Sequence, residues 1–387
     1  MRLALFALFA TLIFAGSSAA KAEPLKVGIS LGLTGQYEGP ALMQKRALEL
    51  WKDEINLRGG VVGRQVDLII ADDKGDAAQA RDIYRNLTMP GRVDAILAPY
   101  SSQLTAAVAP IVEEAGIPML AAGAAADSLW RQGYQNVIGV LTPASRYTQG
   151  MLRLAKDAGL ASVAIIHTQD EFSREIAAGT RKWAPFLKLR IVVDMEIDKS
   201  PISMSNAVSA ARAAHADLLI VAGYFDEALG ARNALTAVNW VPPAFFATIG
   251  PSLPGWKETL GSAANLVFST SIWEPNASTE YSRSREFADA FRVRFGIEPS
   301  CQAAAAYAAC QILAAAIEEA HSTERGDVRK ALFELDTYTV LGRFAVNRKG
   351  MQVKRLDMVI QWQNGRKQIV WPDELRTTNP IFGRGNP

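Results

Sequence analysis

Short apolar runs alternate with longer amphipathic stretches in the first part of this chain. The runs of strand length cover residues 25–31, 65–71, 93–98, 117–121 and 136–141. The stretches between them with helical periodicity cover residues 41–58, 77–89 and 104–115. Strands that alternate with helices in this way predict a parallel, doubly wound α/β sheet.

The same alternation begins again after Thr142-Pro143. Its strand-like runs cover residues 162–167, 190–196, 217–221, 244–249 and 266–270, and its helical stretches cover 172–187, 203–214 and 226–238. Because the series runs twice, we predict two doubly wound parallel-sheet lobes.

The pattern changes after Trp273-Glu274-Pro275. Three consecutive helices are predicted at 283–295, 300–320 and 325–335, followed by strands at 342–346, 355–363 and 367–371. Asn364-Gly365 predicts a hairpin turn between the last two strands. Since these elements must pack on lobes already formed, we expect an amino-terminal lobe of residues 25–141 plus 275–340. The carboxy-terminal lobe then comprises 142–274 plus 341–387.

Residues 1–22 have the pattern of a signal peptide. A positively charged start precedes an uncharged apolar run from residue 3 to residue 15, and Ala20-Lys21-Ala22 fits a signal peptidase site. We therefore expect cleavage after Ala22 and export, which leaves 387 − 22 = 365 residues. That length is enough for two lobes with their own cores.

Composition excludes several classes of partner. The chain carries 41 basic and 39 acidic residues, a formal charge of +2, with no polybasic segment. Nucleic acid and anionic membrane surfaces are therefore not expected partners, and no later apolar run is long enough to insert into a membrane. Cys301 and Cys310 fall in one predicted helix about 13 Å apart, too far for a disulfide, and are expected to be small buried side chains.

Three predicted strand ends offer candidate binding residues, because open parallel sheets bind ligands beyond the carboxyl ends of their strands. Tyr100-Ser101-Ser102 precedes a predicted helix, so its hydroxyls and the helix amides suit an anion; capping of that helix is the equal alternative. Gly123-Ala124-Ala125 follows the next strand and permits close approach of a ligand. The loop after the first strand, with Tyr37, is predicted to be a flexible rim.

Aromatic residues of the second lobe are also candidates. Phe172, Tyr224, Phe225 and Trp273 lie at strand ends or crossovers, where they can wall an apolar pocket. The motifs G-x-S-x-G, H-E-x-x-H and C-x-x-C are absent, so we expect no catalysis, no metal and no cofactor. His167 ends an apolar strand, and a structural role is favoured for it over a role in the crevice.

Several short motifs in combination resemble type I periplasmic binding proteins of the leucine/isoleucine/valine-binding type. They are Leu25-Lys26-Val27-Gly28, Thr34-Gly35, Asn56-x-x-Gly59-Gly60, Asp72-Asp73, Pro99-Tyr100-Ser101-Ser102, Gly116-Ile117-Pro118, Trp273-Glu274-Pro275 and Val370-Trp371-Pro372. The resemblance covers essentially the whole mature chain. It implies two lobes joined by three crossovers that close on a ligand, and a soluble monomeric periplasmic protein that serves an inner-membrane ABC permease.

The resemblance also implies roles for individual residues. Ser102 matches the serine that holds the ligand carboxylate, Phe172 matches an aromatic that closes the pocket, and Tyr224-Phe225 falls on an aromatic contact segment. Ala125 and Ile249 stand where the family's amino-acid binders usually carry a hydroxyl and an acidic residue. A small carboxylate with an apolar or aromatic body is therefore the expected ligand.

Three alternatives stay open. The first is a branched-chain or other hydrophobic amino acid as ligand, with Asp226 or Glu227 supplying the missing charge. The second is a ligand-sensing receptor domain of the same fold. The third is an exported hydrolase, which the missing nucleophile and base disfavour.

Overall fold

The computed structural model describes residues 22–253, 255–275, 277, 283–355 and 357–383. Its strands, in chain order, are β1 Leu25–Leu31, β2 Val66–Asp72, β3 Ala95–Leu97, β4 Met119–Ala121, β5 Val137–Gly139, β6 Ser162–Thr168, β7 Arg190–Ile197, β8 Leu218–Ala222, β9 Ala244–Ala247, β10 Val267–Ser271, β11 Thr337–Thr339, β12 Gly342–Phe344, β13 Met358–Gln363 and β14 Arg366–Trp371. The signal peptide predicted at residues 1–22 lies outside the described residues except for Ala22.

The helices follow the same alternation. In chain order they are α1 Glu38–Leu57, α2 Ala77–Leu87, α3 Ser102–Glu114, α4 Ser128–Arg131, α5 Gln149–Asp157, α6 Glu171–Phe186, α7 Pro201–Ala213, α8 Phe225–Ala237, α9 Gly255–Leu260, α10 Ser284–Phe295, α11 Cys301–Ala320 and α12 Arg325–Glu334. Every strand and helix predicted above is present with ends shifted by up to a few residues. The pattern missed β11, α4, α5 and α9, most of which are short elements.

The strands form two main sheets, one in each lobe. The first is a parallel sheet in the order β2-β1-β3-β4-β5. The second has the order β14-β13-β10-β9-β8-β6-β7, with β6 to β10 parallel and β13 and β14 antiparallel at one edge. Asn364 and Gly365 both have positive φ, 51° and 72°, as a tight two-residue hairpin turn requires.

The late helices pack on the first lobe. Trp51 on α1, Phe287 on α10 and Ile312 on α11 belong to one buried cluster. Helix α11 is long and apolar enough to cross a membrane by composition, but 83% of its apolar window is buried inside the fold. It is therefore a core helix of the first lobe, and its two cysteines are buried and unpaired, as predicted.

The last lobe boundary is best drawn later than residue 340. Leu341 and Phe344, on the hairpin of β11 and β12, are buried in the core cluster of the first lobe. The Gly139 amide of β5 also donates to the Gly350 carbonyl at 2.7 Å. Because β13 begins at Met358 in the second sheet, we propose that the first lobe extends to about residue 354. The other lobe bounds stay as predicted above.

Candidate functional site

A small enclosed cavity of about 40 Å³ lies between the two lobes. This is room for about one water molecule, so a benzoate-sized ligand requires the lining residues to move apart. The cavity is lined by Tyr100, Ser102, Ala122, Gly123, Ala125, Leu141, Tyr147, Phe172, Tyr224, Ile249, Ser252, Thr270, Ile272, Cys301 and Gln302. Most of these residues follow the carboxyl ends of β3, β4, β5, β6, β8, β9 and β10. The cavity therefore occupies the position where parallel sheets bind ligands.

Seven of the predicted residues meet at this cavity. They are Tyr100, Ser102, Gly123, Ala125, Phe172, Tyr224 and Ile249. The first four come from the amino-terminal lobe and the last three from the carboxy-terminal lobe. Strand-end reasoning singled out all of them except Ile249, which came from the family resemblance, because successive parallel strands end at one edge of each sheet.

Helix N-termini converge on the cavity. Ser102 is the first residue of α3, and Cys301 and Gln302 are the first two residues of α11. Phe172 is the second residue of α6, and Tyr224 is the N-cap of α8. Because the N-terminus of a helix carries partial positive charge, this convergence favours an anionic group in the cavity.

The Ser102 hydroxyl is buried and serves as an acceptor for two backbone amides. The Ala125 and Ala126 amides each donate to Ser102 Oγ at 3.1 Å. These bonds occupy both lone pairs of the oxygen, so the hydroxyl proton is available to donate to a ligand.

Neither serine side chain caps α3. Ser101 is the N-cap residue but makes no side-chain capping bond. Its buried Oγ lies beside the Tyr37 and Tyr224 hydroxyls and makes no well-aligned hydrogen bond among the described residues, and Ser101 is not part of the cavity lining. The capping alternative is therefore not what this geometry shows.

Gly123 is required by close packing beneath the cavity. A Cβ atom at this position would lie 2.8 Å from Tyr100 Cδ2 and 3.2 Å from Gln44 Nε2. The buried Gln44 also donates to the Ala122 carbonyl at 3.4 Å and holds this loop on α1. Gln44 was missed by the strand-end reasoning because it lies in the middle of a helix.

Three tyrosines close the cavity on one side. The ring centroid of Tyr37 lies 5.6 Å from that of Tyr100 and 5.5 Å from that of Tyr224. Burial raises the pKa of all three phenols, so they are neutral at physiological pH. Tyr37 and Tyr224 belong to different lobes, so this contact forms only when the lobes meet.

An open groove of 840 Å³ lies outside the tyrosines, between the start of α1 and the starts of α7 and α8. Tyr37, Phe225, Asp226 and Glu227 line this groove. The Phe225 ring lies edge-on to Trp256, with centroids 6.4 Å apart. Phe225 lines this groove and not the enclosed cavity, so its predicted contact with a ligand stays a prediction.

Trp273 also lies outside the cavity. Its indole nitrogen donates to Ser284 Oγ at 3.2 Å, and its ring packs edge-on against Phe287 at 5.5 Å. Only 2% of its surface is exposed. Its role here is to anchor α10 in the core of the first lobe. Ala124 is likewise buried in a core cluster and is absent from the cavity lining.

Eight lining residues were missed as site residues by the sequence reasoning: Ala122, Leu141, Tyr147, Ser252, Thr270, Ile272, Cys301 and Gln302. Cys301 Sγ lies 3.7 Å from Ser252 Oγ of the other lobe and 3.3 Å from Gln302 Oε1. The N-cap serine at position 300 was a usable signal for a helix start, but nothing local indicated that this start faces the cavity.

His167 is buried away from the cavity lining. Its Nδ1 lies 3.1 Å from the Thr168 carbonyl and its Nε2 lies 3.0 Å from Arg181 Nη2. Because both ring nitrogens have partners in the second lobe, the geometry fits the structural role favoured for it above.

An ion pair joins the lobes at the edge of the cleft. Arg131 on α4 of the first lobe pairs with the buried Glu175 on α6 of the second lobe. Removing this pair should favour separation of the lobes. We expect Glu175→Gln to weaken ligand binding by a few-fold, as is typical for a partly exposed pair. Titration calorimetry measures this change.

The matched control for Glu175 is its neighbour on the same helix. Arg174 pairs with Glu196 at 2.8 Å within the second lobe. Arg174→Gln should therefore leave the ligand affinity unchanged. Equal effects of the two substitutions would contradict a specific interlobe contribution from Glu175.

The family of the chain follows from its match to a family model. The model described as "Periplasmic binding protein" matches residues 24–367. This chain belongs to the periplasmic binding protein family. The family predicted from the sequence motifs is thus confirmed, and solute binding between two lobes is the function of this family.

Individual relatives show the same relation. This periplasmic binding protein is 23% identical over 375 residues to Leu/Ile/Val-binding protein homolog 7 of Brucella suis biovar 1. The aligned region covers 92% of this chain and 94% of the Brucella protein. It also superposes on the isoleucine complex of LivJ, a branched-chain amino acid transporter substrate-binding protein from Streptococcus pneumoniae. That match has a TM-score of 0.80 and 21% identity and covers 90% of this chain and 100% of LivJ.

A third match has a different ligand. The structure of a solute-binding protein of an ABC transporter from R. palustris, in complex with benzoate, has a TM-score of 0.78 and 19% identity to this chain. It covers 90% of this chain and 95% of the R. palustris protein. These structural likenesses show the two-lobed α/β fold predicted above.

Proposed function

We propose that this protein is the solute-binding component of an ABC importer and captures a small carboxylate with an apolar or aromatic body. It delivers this ligand to a membrane permease from the periplasm, after export and cleavage behind Ala22. It acts as a monomer, without a cofactor and without catalysis. The family match and the cavity between the lobes support the first part of this proposal.

The proposal of a carboxylate ligand rests mainly on the uncharged character of the cavity lining. Within the described part of the chain, the lining contains hydroxyl, thiol, carboxamide and apolar groups but no Asp, Glu, Lys or Arg. A carboxylate in the cavity can accept a hydrogen bond from the Ser102 hydroxyl and is attracted by the partial positive charge of the helix N-termini described above. An α-ammonium group finds no carboxylate, and burying it unpaired costs several kcal/mol.

Glu227 is engaged elsewhere. Its Oε2 accepts the Tyr224 amide at 2.9 Å, and its Oε1 lies 3.8 Å from Lys199 Nζ. Both Glu227 and Asp226 line the outer groove and not the enclosed cavity. This arrangement disfavours the alternative in which one of them pairs with the ammonium group of an amino acid.

The relatives support two ligand classes. The R. palustris protein holds benzoate, which is a carboxylate with an aromatic body. LivJ holds isoleucine, and the Brucella relative is named for leucine, isoleucine and valine. A branched-chain amino acid is therefore the second candidate, and the two classes differ in the ammonium group.

Thermal denaturation in the presence of candidate ligands tests the choice. A ligand at one hundred times its Kd stabilises the folded state by about 2.7 kcal/mol, which raises the midpoint by several degrees. We expect benzoate or phenylacetate to raise the midpoint, and leucine, isoleucine, valine and phenylalanine to leave it unchanged.

Two matched compounds separate the contributions of the ligand. Benzamide retains the aromatic ring without the carboxylate, and benzylamine replaces the carboxylate with an ammonium group. Neither should stabilise the protein if the cavity recognises an anion. Stabilisation by the amino acids alone would contradict the carboxylate proposal and favour the second candidate.

A further inference from the structure

A buried pair of opposite charges lies where the three crossovers between the lobes meet. Arg355 and Asp357 are two residues apart on the third crossover, and only 7% and 8% of their surfaces are exposed. Thr142 of the first crossover donates its hydroxyl to Asp357 Oδ1 at 2.7 Å. Arg355 Nη2 donates to the Ile272 carbonyl of the second crossover. The two charged side chains thus bind all three crossovers together.

The pair itself is incompletely bonded. Arg355 Nη2 and Asp357 Oδ1 approach only to 4.0 Å. Arg355 Nη1 and Asp357 Oδ2 are buried and have no hydrogen-bond partner among the described residues. Leaving charged groups buried with unmade bonds is costly. Two complementary orphan atoms on neighbouring residues therefore indicate a second arrangement in which they bond each other.

Rotation of the lobes changes the relation between the crossovers, since it occurs about these segments. We propose that Arg355 and Asp357 are positioning residues that set the resting angle between the lobes. In the closed arrangement of this structure, Arg355 and Asp357 each form a hydrogen bond to a neighbouring crossover. When the lobes are apart, the two side chains bond each other directly.

The direct bond between Arg355 and Asp357 in the open arrangement opposes closure of the lobes in the absence of ligand. The closed arrangement has the bonds to Thr142 and Ile272 but lacks the direct ion pair between Arg355 and Asp357. The population of this arrangement is therefore low until a ligand contacts both lobes. The cavity adjoins the hinge, because Ile272 and Tyr147 both line it. Ligand affinity then depends on residues that do not touch the ligand.

Two substitutions are expected to act in opposite directions. Thr142→Val removes a bond of the closed arrangement and should weaken ligand binding by about two- to tenfold, the range for one net hydrogen bond. Asp357→Asn can still accept from Thr142 but cannot form the ion pair. It should shift the ligand-free protein toward the closed arrangement and tighten binding by about two- to tenfold. Thr142→Ser retains the hydroxyl and should behave as the unaltered protein.

Small-angle X-ray scattering of the ligand-free protein measures the lobe angle directly. We expect the unaltered protein to have a larger radius of gyration than the closed structure gives, and Asp357→Asn to have a smaller one than the unaltered protein. Calorimetry with benzoate, or with whichever compound stabilises the protein, supplies the affinities. The affinity measurements rest on the proposed function, whereas the ligand-free scattering does not, so failure of the two proposals is distinguishable.

Three outcomes would overturn the proposal. The first is ligand-free, unaltered protein as compact as the closed structure. The second is weaker binding by both Thr142→Val and Asp357→Asn, which indicates a simple lock on the closed state. The third is an unchanged radius of gyration in Asp357→Asn. If Asp357→Asn does not fold, the scattering of the unaltered protein still decides the first point.

Discussion

Replacing Ser102 with alanine is expected to weaken ligand binding by about 1–3 kcal/mol, since a hydrogen bond to a charged group is lost. The Ser102 oxygen already accepts hydrogen bonds from the Ala125 and Ala126 amides. The hydroxyl can therefore interact with a ligand only by donating its proton. Those two buried amides also lose their acceptor. We therefore expect a lower free energy of unfolding as well, by about 1–3 kcal/mol. Calorimetry and urea denaturation measure the two effects separately.

Ser101→Ala is the matched control for this experiment. Its hydroxyl is equally buried and lies beside the Tyr37 and Tyr224 hydroxyls, but it does not cap α3 and does not line the cavity. The substitution should leave the affinity unchanged and should not lower the stability. Unchanged affinity in Ser102→Ala would show that Ser102 supports the Ala125 loop without contacting a ligand.

The second large effect is expected at Trp273. Trp273→Ala should lower the free energy of unfolding by about 3–5 kcal/mol, the usual cost of removing a large aromatic side chain from a core. It leaves a space beside Phe287 and removes the bond to Ser284. Because Trp273 does not line the cavity, the affinity of the folded fraction should stay within about twofold of the original.

Phe172→Ala provides the contrast to Trp273→Ala. Its ring lies 5.5 Å from those of both Tyr147 and Tyr224 and lines the cavity. This substitution should lower both the stability and the ligand affinity. If Trp273→Ala instead weakens binding as strongly as Phe172→Ala, then Trp273 belongs to the ligand site after all.

Much of the fold could be predicted because both faces of a parallel sheet are covered. Strands such as β1 and β6 are buried along almost their whole length and appear as continuous apolar runs. The intervening helices are longer and have a 3.6-residue period, so the two kinds of element are easy to tell apart. Strand β11 and helix α9 contain only one buried residue each, so neither shows an apolar run or an apolar stripe.

The candidate site was predictable only where it consists of strand ends. Parallel-strand topology alone brings Ser102 and Gly123 to one edge of the first sheet and Tyr224 to the corresponding edge of the second sheet. Cys301 and Gln302 begin α11, which comes long after the last strand of the first sheet ends at Gly139. No local pattern relates them to the cavity, because their position depends on how α11 packs on α1.

The sequence by itself determined the two-lobed α/β architecture, the family and the strand ends that surround the cleft, since burial and periodicity are properties of local segments. Only the tertiary structure decided which side chains face the cavity. Phe225 and Tyr224 are adjacent, yet Tyr224 lines both the cavity and the outer groove, whereas Phe225 lines only the outer groove. Glu227 is engaged by the Tyr224 amide, and Trp273 is drawn into the core by Phe287 and Ser284. These choices depend on packing partners that are distant in sequence, so no local pattern contains them.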